Sequence, residues 1–311
     1  MLTSQQAAAK EAAHNRFDNP ARIAAQDQDG LTDRDDLPRF TQGIEGIGIA
    51  DDSIRVYILK GHEEAVEIPS EFEGLRTERF STAGFGILAP ARQNALSPVP
   101  GGVSIGHYKV SAGTLGCLVE TPGALCILSN NHVLANTNAG VPGDDILQPG
   151  PHDLAAGSSA RRIAGLTDYE PLRFGSAVNH IDAAIAALDD PNSAIPSIMG
   201  IGRHANPPVA AFLNQSVAKH GRTTGLTFGK VVDISFDGNV RYSSRVAYFE
   251  DQIAIIGESG PFSDDGDSGS LVLDSPGSRA VGLLFAGDGS HTLANRIQPI
   301  LNRFNGTIVT P

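Results

Sequence analysis

The segment Ser263-Asp264-Asp265-Gly266-Asp267-Ser268-Gly269-Ser270 constrains this chain more than any other stretch of it. A glycine two residues before a serine can take a backbone conformation closed to other residues. The amides of Gly266 and Ser268 can then point into one pocket able to hold an oxyanion. Gly269 has no side chain to obstruct approach to the hydroxyl, and Ser270-Leu271-Val272-Leu273 reads as a buried strand. Glycine, aspartate and serine also make ordinary turns, so the tetrapeptide gains meaning only from partners elsewhere.

Two such partners are present. Ile127-Leu128-Ser129-Asn130-Asn131-His132-Val133-Leu134-Ala135 ends an apolar strand in a histidine and a short helical or looped stretch. Asn179-His180-Ile181-Asp182-Ala183-Ala184-Ile185-Ala186 sets an acid at the start of another apolar run. A serine hydroxyl is a poor nucleophile until a base takes its proton, and that base needs a buried carboxylate to fix its tautomer and stabilise its charge. His132, Asp182 and Ser268 supply the three roles. Their order, His then Asp then Ser, is that of double β-barrel peptidases, whereas α/β-hydrolases run Ser-acid-His and subtilisin-like enzymes Asp-His-Ser. The spacings, fifty residues (132 to 182) and eighty-six (182 to 268), leave room for the rest of one barrel and most of a second.

From about Gly101 to its end the chain resembles the trypsin/chymotrypsin-like serine peptidases, with a likeness to bacterial trypsin-like peptidases and the plant narrow-leaf-type proteins. Gly113-Thr114-Leu115-Gly116-Cys117-Leu118-Val119, Ser129 to Ala135, and Lys219-His220-Gly221-Arg222-Thr223-Thr224-Gly225-Leu226-Thr227 carry the resemblance. It implies a mainly β fold, a chymotrypsin-like double β-barrel preceded by a small N-terminal α/β module. Barrel one is expected over about 103–188, a connection over 189–208, and barrel two over about 211–304. The resemblance further implies His132 as general base, Asp182 as its orienter, Ser268 as nucleophile, and the Gly266 and Ser268 amides as the oxyanion hole. The primary pocket would draw on the segment before the nucleophile, with Phe262 six residues upstream, and on the strand containing Phe285, Ala286 and Gly287. Phe262 stands where trypsin has its pocket-bottom acid, which speaks against a preference for basic residues and leaves small, apolar and acidic preferences open. Secreted relatives often carry a disulfide beside the histidine. Cys126 lies six residues before His132, so Cys117 and Cys126 are expected as buried free thiols.

Composition agrees with this reading and narrows the partners. At 311 residues about two domains are expected, and 35 glycines, 19 prolines and no tryptophan suit a turn-rich β protein. A net charge of −12 argues against nucleic acid or an anionic membrane as partner and leaves a protein or peptide substrate. The N-terminal residues lack a basic start and an apolar run, which gives a cytoplasmic expectation. Homo-oligomerisation is suggested only by the family likeness. Residues 1–40 read as a polar, partly helical extension with a solvated acidic stretch at 27–36 that fails the calcium-loop template. Residues 41–100 read as the α/β module with its linker, with strands around Asp51-Asp52. Its Gly43 to Gly48 segment has the wrong spacing for a dinucleotide. Residues 140–178 read as surface loops, and Arg222 as a holder of loop carbonyls. His180 with Asp182 lacks a second pair of metal ligands, so neither metal nor organic cofactor is expected. The sequence therefore points to a serine endopeptidase. An esterase, a peptidase-fold scaffold or adaptor with a silent site, and a zymogen-like regulated site remain the alternatives.

Overall fold

Ala9, Ala13 and Phe17 recur every four residues, the spacing that stacks side chains on one face of a helix, and helix α1 (Ser4–Phe17) buries all three. In the computed structural model, which describes residues 2–17, 40–41, 43–50, 52–82, 91–154, 160–275 and 278–310, the chain forms two compact units, 1–88 and 89–311. In the first unit α1 packs on a sheet of β1 (Ile44–Ile49), β2 (Ser53–Leu59), β3 (Glu71–Phe72) and β4 (Leu75–Thr82), in the order β1-β2-β4-β3. Its core joins Phe17 to Ile54, Val56, Ile58, Ile68 and Phe72, with the Phe17 and Phe72 rings edge to face at 5.9 Å. The helix expected in a polar extension thus supplies part of the module's core. The acidic stretch at 27–36 lies outside the described residues.

The second unit begins with β5 (Val99–Gly101), β6 (Ser104–His107), β7 (Gly113–Thr114), β8 (Cys117–Thr121) and β9 (Ala124–Ser129), followed by the short helix α2 (Asn131–Leu134). Next come β10 (Asp145–Gln148), β11 (Arg161–Tyr169), β12 (Val178–Asn179), β13 (Ala184–Leu188) and β14 (Ala194–Ile198). The curled first sheet runs β8-β9-β13-β11-β10-β6-β7 and is extended beyond β8 by β21 (Thr307–Ile308). The expectation of surface loops at 140–178 is corrected here. Ile146, Ile163 and Leu166 are core residues of β10 and β11, and the arginines and aspartates around them had masked the alternation. The connection at 189–208 likewise contains β14, which pairs in parallel with β5.

Barrel two consists of β15 (Ser216–Gly221), β16 (Gly225–Tyr242), β17 (Arg245–Gly257), β18 (Leu271–Asp274), β19 (Ala280–Gly287) and β20 (His291–Arg296). Pairing of β17 with β20 closes the ring β17-β16-β15-β18-β19-β20. The β16–β17 hairpin is much longer than the ring requires, and its far end takes β12 as a parallel neighbour. Helix α3 (Ile297–Phe304) turns Ile297, Ile300, Leu301 and Phe304 to one side. These pack with Cys117, Leu128 and Ile185 of the first sheet and Leu271, Leu273 and Leu283 of the second, in one seam that locks the two together. Each such side chain contributes about 1.5–3 kcal/mol by burial.

Cys117 faces Leu128 and Cys126 faces Val119 across the β8–β9 ladder, and both thiols are free and buried. Burial pushes the Cys117 thiol up to about 12. Burial also raises Cys126, against a partial opposing effect of the Thr121 hydroxyl. Because the thiolate is the reactive form, neither cysteine should react with a disulfide reagent at pH 8 in the folded protein, and both should react in denaturant. A thiol titration with and without guanidinium reads this directly, and rapid reaction of the native protein would contradict it.

Candidate active site

Register brings the acid and the base together. Antiparallel pairing sets Ser129 of β9 opposite Ala184 of β13, so His132, just beyond one strand, and Asp182, just before the other, emerge at the same end of the sheet. Asp182 is fully buried. Its Oδ2 lies 2.6 Å from His132 Nδ1, and its Oδ1 accepts from the His132 amide at 3.3 Å. A carboxylate only accepts, so this bond takes its proton from Nδ1, and in the neutral imidazole the lone pair then belongs to Nε2. The Asp182 backbone is clamped on both sides. Its amide donates to Asn295 Oδ1 at 2.9 Å, and its carbonyl accepts from Asn130 Nδ2 at 2.7 Å. Asn295 continues to Gln252 at 2.7 Å, and Gln252 to the His180 carbonyl at 3.0 Å. Buried amides linked in this way favour one geometry, although Asn130 Oδ1 itself has no partner among the described residues.

None of Asn130, Gln252 and Asn295 was legible as a site residue, although a polar residue inside an apolar run, as in Ala294-Asn295, is the signal to look for. The phenol of Tyr242 also donates to Asp182 Oδ2, at 2.7 Å, from the tip of the β16–β17 hairpin. His180, in contrast, is exposed and does not share a face with Asp182. Asp189 pairs with Arg162, and Asp190 caps the turn at Pro191.

The nucleophile loop is shaped from beneath. Gly266 and Gly269 both have φ of +95°. A Cβ on Gly266 would lie 2.5 Å from Arg222 Nη1, and one on Gly269 would lie 2.1 Å from Ser129 Oγ, so only glycine fits either position. Between them the fully buried Asp267 turns inward to the equally buried Lys219, at 3.1 Å. It also accepts from the amides of Thr223, Thr224 and Asp264 at 2.8, 3.1 and 3.1 Å, and from the Thr224 hydroxyl at 2.6 Å. Burial alone would raise the Asp267 carboxyl, but the Lys219 ammonium and these donors outweigh it and hold the group below the usual range. Burial lowers Lys219 from its ordinary value, with Asp267 opposing. Thr114 of the first sheet fastens the loop, its amide donating to the Ser268 carbonyl at 2.8 Å and its hydroxyl to the Gly266 carbonyl at 2.9 Å. Among the described residues the amides of Gly266 and Ser268 donate to no protein acceptor, which leaves two N–H groups for an incoming oxyanion.

His132 and Ser268 line one cleft of about 1160 Å³ together with the hairpin tip and the end of β19. The Ser268 hydroxyl lies 3.4 Å from the Phe285 carbonyl oxygen and makes no hydrogen bond to His132. That contact is long for a hydroxyl donor, so a side-chain rotation toward the imidazole forfeits little. Phe285, Ala286 and Gly287 line this cleft. Phe262 does not. It is 1% exposed and packs with Val217, Val231 and Ile255 in the core of barrel two, because its side chain points into the closed ring. Ser263 takes the cleft position instead, bonded to Thr292 at 2.6 Å. Arg222 is also corrected: it forms a two-point ion pair with Asp153, while Arg92 holds the carbonyls of residues 222 and 223 at 2.8 and 2.6 Å.

Replacing Lys219 by methionine leaves Asp267 buried without its cation, which should cost about 3–5 kcal/mol. A carboxyl held below its ordinary value adds stability above that value and loses it as pH falls through the lowered one. Lys219→Met raises Asp267, so acid unfolding should begin at higher pH than in the wild type. Thermal melts across pH 2–7 measure both effects, and coincident curves would refute them.

Residues 187–298 match the family model of the Nal1 C-terminal domain. No curated protein matches the chain in sequence. Among solved structures it is similar to Thermobifida fusca protease A, at 19% identity and a TM-score of 0.49, over 68% of this chain and 99% of that one. It is also similar to a glutamic acid specific serine protease, at 20% identity and 0.48, over 68% and 100%. Cellulomonas bogoriensis chymotrypsin aligns at 19% and 0.46, over 68% and 99%. A curled sheet followed by a closed six-stranded barrel, with histidine and aspartate from the first and serine before a strand of the second, is the chymotrypsin-like architecture, and this unit resembles the serine peptidases built on it.

Proposed function

We propose that this protein is a serine endopeptidase that cleaves peptide bonds through an acyl-enzyme at Ser268. The observation that carries the reading is the combination, in one cleft, of an imidazole oriented by a buried carboxylate with a serine on a loop bearing two unpaired amides. In the reaction the Ser268 hydroxyl turns from Phe285 to His132 and gives its proton to Nε2 as Oγ attacks the substrate carbonyl. The amides of Gly266 and Ser268 stabilise the tetrahedral oxyanion, each donor being worth on the order of 3 kcal/mol. His132 then protonates the leaving amine, and water repeats the sequence to release the acyl group. β18 leaves β19 after Leu283, so Phe285–Gly287 keeps one backbone edge open in the cleft, where an extended peptide can pair as a further strand.

A second reading has one observation in its favour. With the Ser268 hydroxyl on Phe285, the resting site is not yet assembled, as in a regulated peptidase or a scaffold with a silent site. A fluorophosphonate probe separates the two. The wild type should label at Ser268, Ser268→Ala should not, and His132→Ala should label at least about 10⁴-fold more slowly. Labelling that persists in Ser268→Ala would move the nucleophile elsewhere, and a wild type that never labels would favour the scaffold. Peptide and ester substrates of matched side chain, compared on an unlabelled portion of the same preparation, distinguish peptidase from esterase.

A further inference from the structure

The phenol of Tyr242 reaches the same carboxylate oxygen as the catalytic imidazole, and it comes from the other barrel. We propose that Tyr242 is a positioning residue that holds Asp182 in register and weakens its grip on the His132 imidazolium, so that the β16–β17 hairpin sets the basicity of the base. This rests on the peptidase reading for its consequence in catalysis, though not for its physical basis.

Three donors serve the buried Asp182 carboxylate: the imidazole and the Tyr242 hydroxyl on Oδ2, at 2.6 and 2.7 Å, and the His132 amide on Oδ1 at a longer 3.3 Å. Tyr242 is therefore one of two close donors to a fully buried carboxylate. Burial, reinforced by the Asp182 charge, raises the Tyr242 phenol well above its ordinary value, so it stays a donor at every working pH. Its ring is fixed as well as its hydroxyl. It meets His132 at 5.7 Å and Phe174 at 6.0 Å edge to face and stacks on Phe249 at 6.4 Å, and the Arg245 guanidinium caps Phe174 at 3.3 Å. A hydroxyl held so firmly on a carboxylate drains negative charge from the oxygen that the imidazolium would use. Removing it leaves a more basic carboxylate and a histidine that protonates more readily.

Other charges face the same cleft. The carboxylates are Asp233, Asp264, Asp265 and Asp288, and the cations are Arg241, Arg245 and His291. None of them bonds to His132 or Asp182 among the described residues, so they set a background that a substitution at position 242 does not alter.

The test is the His132 midpoint, followed by imidazole NMR in wild type, Tyr242→Phe and a protein carrying 3-fluorotyrosine at position 242. Phenylalanine keeps the ring packing and loses only the hydroxyl, and should raise the midpoint by about one unit. The fluorinated phenol is a stronger donor of nearly the same size and should lower it, which tests the proposal even if Tyr242→Phe folds poorly. The acid limb of fluorophosphonate labelling should move by the same amount in the same direction, so that on this limb, below both midpoints, labelling of Tyr242→Phe should fall about tenfold. Unchanged midpoints in both variants would overturn the inference, because a tyrosine that merely packs would leave the titration where it was. Absence of labelling in the wild type would sink the peptidase reading alone, since the midpoints are measured without any turnover.

Discussion

The apolar seam between the two barrels is the constraint on which everything else in the second unit depends. Leu128 and Ile185 come from one sheet, Leu271 and Leu283 from the other, and α3 lays Ile297, Ile300 and Phe304 along them. His132 and Asp182 hang from the ends of β9 and β13, while Ser268 precedes β18. Leu128, Ile185 and Leu271 sit only three or four positions from His132, Asp182 and Ser268 respectively. Burial that is worth little specificity by itself therefore becomes positional accuracy at the cleft, since close-packed side chains do not slide. Thr114 adds direction to this glue by tying the Ser268 and Gly266 carbonyls to the first sheet.

Polar groups do the rest, and they do it in places water does not reach. Asp182 and Asp267 are both fully buried carboxylates, yet their partners differ in kind. Asp267 meets a full cation, Lys219, and a ring of threonine donors, and so shapes a loop. Asp182 meets only neutral donors and the imidazole, and so keeps its charge available to the base. A buried ion pair is weak ground for stability, but one that dictates where Asp267 points also dictates where the amides of Gly266 and Ser268 do not point, which is into the protein.

Much of the site was legible because its chemistry is local. Gly266 and Gly269 announce a loop that no other residue can form, and His132 and Asp182 each stand at the edge of an apolar run that becomes a strand. Tyr242, Asn295 and Gln252 were invisible for the opposite reason. Tyr242 lies 60 residues from the acid it contacts, at the tip of a hairpin whose length no periodicity announces. Phe262 misled in the same way: its distance from Ser268 along the chain suggested a pocket, whereas the closure of barrel two turned its ring inward. The strands at Asp145–Gln148 and Arg161–Tyr169 were hidden by charged residues that the curled sheet leaves at its surface.

By itself the sequence determined which residue types stand in the order base, acid, nucleophile, where backbone must bend beyond the reach of a side chain, and that the acids outnumber the bases over the whole chain. These are properties of neighbours along the chain, or of sums over it. The tertiary structure decided which oxygen of Asp182 is shared, which hydroxyl shares it, and whether Ser268 rests on His132 or on Phe285. Those are distances of a few ångströms between segments that meet only after two barrels have closed and packed, and no local preference encodes them.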